Sequence, residues 1–464
     1  MGLDLLIKNG TVVDGSGMPR YRADVGISGG RIVEIGRIRA PAGRTIDADG
    51  LIVAPGFIDG HTHMDAQIAW DALGSCSCWH GVTSVVMGNC GFGLAPCKAD
   101  DREWFARCLT AVEDIPTEAM MAGIDWSWET FPEYLAAVER LPKAINYGMY
   151  IGHSALRMYV MGRRGLEERA NEDDLRRMAQ AVEGAVRAGA MGFSSSRATT
   201  HITPDGSPVA SRIADWEEID RLVGAMAALD AGIFQVGPDI SGGEAQRVFL
   251  DRLRRVALDS GRPIMFGVLS TRQGVDPNAW DYQTRYLDET AAAGGRMFGQ
   301  ATTRSINAVF SLKSYLPFDG LPGWQALRGL PLAEQKARLS DPEVRRRLVA
   351  EETQMKPRDS VLQGAARRRP TLASPIITTS TRCSASIGTI LRLPLWQSRA
   401  ASTRSRQSSI CALKTTTGSL SSQSSTSRLP TFWAFSSTRG PWRPFPIPGR
   451  MSARKWGRHC RPIC

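Results

Sequence analysis

Between Asn171 and Gln300 the chain repeats one pattern: an amphipathic helix, a glycine, then a short apolar run. Asn171 with Asp174 three places on reads as a helix start. Leu175, Met178, Ala179, Val182, Ala185 and Val186 then share a face, Gly189 stops the run, and 190–194 follows as a strand. Asp215 and Glu218 repeat the start. Ile219, Leu222, Val223, Met226 and Leu229 repeat the stripe, Gly232 the stop, and 233–236 the strand. Helical patterns over 244–261 and 279–295 lead in the same way to strands at 264–268 and 297–300. Adding apolar runs at 51–59, 82–88 and 145–151 makes seven strands, most of them separated by helices. The expected class is α/β, a (β/α)8 TIM-like barrel whose eighth strand is missing or scrambled. A doubly wound open sheet is the competing fold, but its first strand should run into a glycine-rich phosphate loop. Here it runs into Asp59-Gly60-His61-Thr62-His63.

Residues 1–53 form a different unit, a small β domain of alternating strands broken at Asn9-Gly10, Asp14-Gly15, Gly29-Gly30 and Asp49-Gly50. Residues 54–355 carry the barrel and 356–464 a tail. The formal charge of +11 hides that division: from Ser360 on there are 17 Lys or Arg and no Asp or Glu, which leaves the preceding residues at −6. The amino terminus has no basic segment followed by an apolar one, and no run of about 18 apolar residues occurs later, so a cytoplasmic protein without a membrane partner is expected. Nine cysteines without regular spacing do not make a disulfide framework.

The chemistry concentrates at two strand ends. His61 and His63 stand two residues apart, so both rings point to one side, which in a barrel is the interior at the C-terminal mouth. Two imidazoles there are half of a metal site; the alternative is a polar pair on a solvated loop. Cys90 closes the next strand in Gly88-Asn89-Cys90-Gly91, where a thiolate suits zinc, although a cysteine at a strand end is often just a small buried apolar residue.

The segments PGFIDGHTHMD at 55–65 and HGVTSVVMGNCGFGLAPC at 80–97 together resemble the amidohydrolase superfamily, specifically its N-acyl-D-amino-acid deacylase branch, from about Asp4 to about Glu352. The resemblance implies one or two metal ions, usually zinc, that activate water against an amide or other C–N bond. It also implies that Cys90 joins His61 and His63 as a metal ligand. The chain departs from the pattern where strands five and six should each end in a histidine: it has Phe234-Gln235-Val236-Gly237 and Gly267-Val268-Leu269-Ser270. Gln235 is a weak substitute donor, since neutral amides bind zinc poorly. His153 and His201 are further candidates for substrate or metal contact; their ordinary role is that of hydrogen-bonded loop residues. The family draws its proton-carrying carboxylate from strand eight, and the tail has none, so the catalytic residue is unassigned.

Residues 371–464 contain 30 Ser or Thr, with no apolar period. They also hold four Trp and four Cys, which disordered arms usually avoid. Back-translated in another frame, residues 446–452 can encode Asp-Ser-Gly-Ala-His-Val, which resembles the family's strand-eight segment. A tail out of frame beyond a point between Met355 and Arg369 is therefore expected. Three functions compete: a zinc-dependent deacylase of small N-acylated amino acids, whose activity in this chain is in doubt; an inactive remnant; and a nucleic-acid-binding protein using its basic tail. The third is disfavoured because the tail shows no structured basic groove with interleaved aromatics.

Overall fold

The computed structural model describes residues 2–354, except 114, 200, 204, 239–242, 268–280, 302–311, 313–315, 317 and 320. The tail and its expected frame change lie outside the described residues.

The first unit is a five-stranded sheet. Strand β1 (Leu3–Val12) lies at its centre, antiparallel to β2 (Tyr21–Ser28), which pairs in turn with β3 (Arg31–Gly36). Strands β4 (Ala42–Asp47) and β5 (Ile52–Val53) run parallel to β1. The β2–β3 hairpin turns on Gly29 and Gly30, with φ of +58° and +72°, the conformation that a tight two-residue hairpin demands.

The second unit is a seven-stranded sheet of β6 (Phe57–Asp59), β7 (Val82–Met87), β8 (Asn146–Gly152), β9 (Gly192–Ser196), β10 (Ile233–Gly237), β11 (Ile264–Phe266) and β12 (Met297–Gly299). Every pairing is parallel and the spatial order is the chain order. A doubly wound sheet reverses order at a switch point; a strictly sequential order curls the sheet toward a barrel instead. All seven expected strands are present, and no eighth follows them among the described residues. The sheet is a partial barrel, with β6 and β12 as open edges. Phe57, Ile58 and Phe298 on these edges are exposed, where a further strand would cover them.

Helices α1 (Arg102–Glu113), α2 (Thr117–Gly123) and α3 (Phe131–Arg140) lie between β7 and β8. Helices α4 (His153–Met161) and α5 (Glu172–Ala188) precede β9, α6 (Ala210–Ile213) and α7 (Trp216–Ala227) precede β10, α8 (Gly243–Ser260) precedes β11 and α9 (Asp281–Ala292) precedes β12. The expected stripes are the buried faces: Met178, Val182, Ala185 and Val186 on α5, and Ile219, Leu222, Val223 and Met226 on α7. They pack against the sheet in one apolar core, each large side chain contributing about 1.5–3 kcal/mol by leaving water. The Asn171–Asp174 capping box forms in both directions. At α7 only half of the expected box forms: Asp215 accepts the Glu218 N–H, while the Glu218 carboxylate turns inward. Helices α10 (Pro322–Arg328), α11 (Leu332–Ser340) and α12 (Pro342–Gln354) build a separate small core around Trp324.

Candidate metal centre

Strand β6 ends at Asp59, and the next turn alternates sides. Thr62 faces β7, its N–H and hydroxyl both donating to the Val86 carbonyl at 3.0 and 2.8 Å. His61 and His63 therefore share the opposite side, with ring centres 5.4 Å apart. Strand β7 ends in a turn that only glycine permits at 88: φ is +71°, and a Cβ there would sit 2.3 Å from the Tyr150 carbonyl oxygen. Asn89 braces the turn through its amide to the Thr62 and Val86 carbonyls. Cys90 itself takes φ +57°, a costly conformation for a side-chain residue, held by its N–H donating 2.7 Å to Gln235 Oε1.

The result is convergence. Donor atoms of His61, His63 and Cys90 lie within 4.8 Å of one another, the one such trio among the described residues. His61 Nε2 is 3.3 Å from Cys90 Sγ, and its Nδ1 lies 2.9 Å from Gln300 Oε1. The Gln300 amide nitrogen donates to the Gly60 carbonyl, so its oxygen faces the ring and must accept. His61 thus carries its proton on Nδ1, and the Nε2 lone pair points toward Cys90. Gln300 also joins the end of β12 to the end of β6 across the open side of the sheet. For His63, Nε2 is 3.4 Å from Glu113 Oε1 on α1, and the buried Nδ1 has no partner.

Electrostatics favour ligand-ready imidazoles. Burial lowers the pKa of His61, and it takes His63 down to about 3, with the charges of His61 and His201 adding to the effect. His201, hydrogen-bonded at 2.7 Å to Ser196 and edge-on to Phe92, is likewise pushed down to about 4 by burial, with Arg212 and His61 contributing. All three rings are neutral at pH 7, the form that binds metal. The acids move the opposite way. Burial raises Asp65 to about 7, Glu113 to about 8 and the Cys90 thiol to about 12, with Asp65 adding to Glu113 and Glu113 to Cys90. Burial is the leading cause for each, and a dication held beside them would favour their charged forms. Two neutral imidazoles, one of them with an orphaned buried nitrogen, and a sulfur are a donor set that fits a zinc-type ion.

The two further candidate contacts, His153 and Gln235, lie in different surroundings. His153 is fully buried on the helix side of the sheet, with Nδ1 2.8 Å from Ser195 Oγ and Nε2 2.7 Å from Glu218 Oε1, so neither nitrogen is free for a ligand. Gln235 does reach the site, but its oxygen is taken by the Cys90 amide, and it shapes the Cys90 turn. The strand-six segment after Gly267 lies outside the described residues. Sequence reasoning missed Glu113 and Gln300. Gln300 ends a legible strand; Glu113 carries no local signal.

Comparison with known proteins identifies the family. The sequence profile of the amidohydrolase family matches residues 44–365. A D-aminoacylase of Alcaligenes xylosoxydans xylosoxydans is 38% identical over 205 residues, 42% of this chain and 40% of that protein. An N-acyl-D-glutamate deacylase of the same organism is 35% identical over 296 residues, 63% of this chain and 55% of that one. The chain thus spans about half the length of the curated relatives it matches. A crystal structure of D-aminoacylase superposes with a TM-score of 0.52 at 27% identity, covering 64% of this chain and 58% of that chain. With the profile match extending over more than half its length, and the strand order and HTH turn in agreement, the chain belongs to the amidohydrolase family.

Proposed function

We propose that this protein is a metal-dependent hydrolase of amide bonds, of the N-acyl-D-amino-acid deacylase kind. The observation that carries the proposal is the convergence of His61, His63 and Cys90 on one point at the mouth of the partial barrel. Its similarity to a D-aminoacylase and an N-acyl-D-glutamate deacylase supports small N-acylated amino acids as the substrate class. Another D-aminoacylase structure, 28% identical, is described with a binuclear metal centre, which supports one or two ions here. Zinc is the ion of choice for a thiolate and two imidazoles.

When bound, zinc supplies Lewis acidity, acidifying a water and polarising a carbonyl. The chain's residues do the remaining work. Gln300 keeps the His61 proton on Nδ1, the Gly88–Gly91 turn holds Cys90 against His61, and Phe92 separates His63 from His201. The reading assigns no nucleic-acid or membrane partner; among the described residues no helix is long and apolar enough to cross a membrane. A cytoplasmic location belongs to the same proposal.

A second reading, a metal-binding remnant without turnover, is favoured by Gln235 in place of a strand-five histidine and by the lack of any Asp or Glu from 360 on. One assay separates the two: zinc-loaded and chelated full-length protein on a panel of N-acetyl-D- and N-acetyl-L-amino acids and a cyclic amide. Chelator-sensitive release of D-amino acids is expected, at a rate about 10²- to 10⁴-fold below that of a site with its proton carrier. A folded, zinc-loaded protein that hydrolyses nothing on the panel overturns the deacylase reading in favour of the remnant.

A further inference from the structure

Each histidine of the cluster has one nitrogen near an oxygen and one with no oxygen partner. For His61 the outer oxygen is Gln300 Oε1 at 2.9 Å, and the free nitrogen is Nε2, directed at Cys90. For His63 the outer oxygen is Glu113 Oε1 at 3.4 Å, and the free nitrogen is the buried Nδ1. A neutral imidazole has a single ring proton, and a buried carboxylate draws that proton to the nitrogen it faces.

Glu113 itself needs explaining. It is the last residue of α1, its side chain is 19% exposed, and among the described residues its one ionic neighbour is His63, with no Lys or Arg at ion-pair distance. Asp65, also buried, adds negative charge nearby. A carboxylate kept here without a basic partner costs stability unless something positive arrives. The cation that His61, His63 and Cys90 are arranged to take would meet that need.

We propose that Glu113 is a positioning residue of the metal centre: its carboxylate accepts the Nε2–H of His63, fixes that tautomer and leaves Nδ1 as the metal donor. The role deepens the metal-dependent reading above and rests on it. Glu113 lies on a helix, outside the strand-end motifs, and with Gln300 it completes a pair of outer oxygens, one behind each histidine. Its negative charge also offsets part of the ion's charge, which a neutral amide at the same place would not do.

The test uses the full-length protein labelled with 15N-histidine. Long-range 1H–15N spectra report which nitrogen of His63 bears the proton, a readout that a merely structural Glu113 would leave unmoved. The expected result is Nε2–H in the zinc-loaded wild type, and in the metal-free wild type above about pH 8, where Glu113 is ionised, against a mixture of tautomers in metal-free Glu113→Leu. Competition with a chromophoric chelator should show zinc affinity lowered about 10-fold in Glu113→Gln, which still accepts the hydrogen bond, and about 100-fold in Glu113→Leu. Circular dichroism checks that both variants fold, and Glu113→Gln, nearly the same shape, keeps the test open if Glu113→Leu does not. Zinc affinity within twofold of wild type in a folded variant, or Nδ1–H in the zinc-loaded wild type, overturns the inference alone. A wild type that takes up no zinc overturns the metal reading and the inference with it.

Discussion

Two buried polar clusters occupy the same part of the sheet, and they contrast in how completely their atoms are paired. On the helix side, His153 bonds Ser195 and Glu218, and Arg157 bonds Glu218 and the Gly165 and Glu168 carbonyls. Every charged atom there has an opposite charge or a hydrogen bond. On the mouth side, among the described residues, His63 Nδ1 has no partner, and Asp65 and Glu113 have no Lys or Arg at ion-pair distance. The first cluster is closed, and its function is to hold α4, β9 and α7 together. The second is incomplete in the way a ligand site is. A histidine next to a glutamate occurs in both, so residue types alone do not separate a strut from a site; the leftover valences do.

The largest expected effect tests the closed cluster. Glu218→Ala leaves Arg157 buried without its counter-charge and should lower stability by about 3–5 kcal/mol in urea denaturation, with zinc stoichiometry unchanged in the folded protein. If the variant is as stable as wild type, the network is not the strut described. Next comes the mouth. Zinc at a hundred times its dissociation constant should add about 2.7 kcal/mol to wild-type stability and nothing to His61→Ala or Cys90→Ala, a difference that chelator erases. Equal gains in all three proteins would remove these residues from the metal centre.

The two clusters should also respond to pH in opposite senses. Burial opposes ionisation of Glu218, but its hydrogen bond from His153 and the Arg157 charge prevail and hold it down to about 2. Its contribution is therefore present above the ordinary glutamate value and lost as pH falls from there toward 2. Asp65 and Glu113 in metal-free protein have raised values of about 7 and about 8, so the folded state binds their protons more tightly than the unfolded chain. Metal-free stability should fall as pH rises from about 4 to about 8, and zinc should flatten that limb. Thermal unfolding across this range, with and without zinc, checks both limbs; a metal-free protein whose stability rises over the upper range contradicts the assignment. The helix caps, remote from both clusters, supply a baseline: removing one such as Asn171 costs about 1 kcal/mol and should leave zinc uptake untouched.

The seven strands were legible because each follows an amphipathic helix and a glycine stop, and such patterns depend only on neighbours in the chain. The half-formed cap at α7 marks the limit of that logic. Asp215 and Glu218 have the spacing of a reciprocal cap, yet tertiary structure offers Glu218 two buried partners, His153 and Arg157, that outweigh the backbone N–H. His153 has a similar history: its place after a strand suggested the mouth, and in the structure its ring bonds Ser195 and Glu218 on the helix side.

At the site, sequence by itself singled out His61, His63 and Cys90 as neighbours at adjoining strand ends. An alternating backbone puts residues two apart on one side, and a parallel sheet in chain order brings consecutive strand ends together. Only the tertiary structure decided which nitrogens are free. Gln300 lies 239 residues from His61, and Glu113 sits at the end of a helix; neither distance is set by any local period. Each depends on how far the sheet curls and where α1 packs, and those are properties of the whole core rather than of any segment.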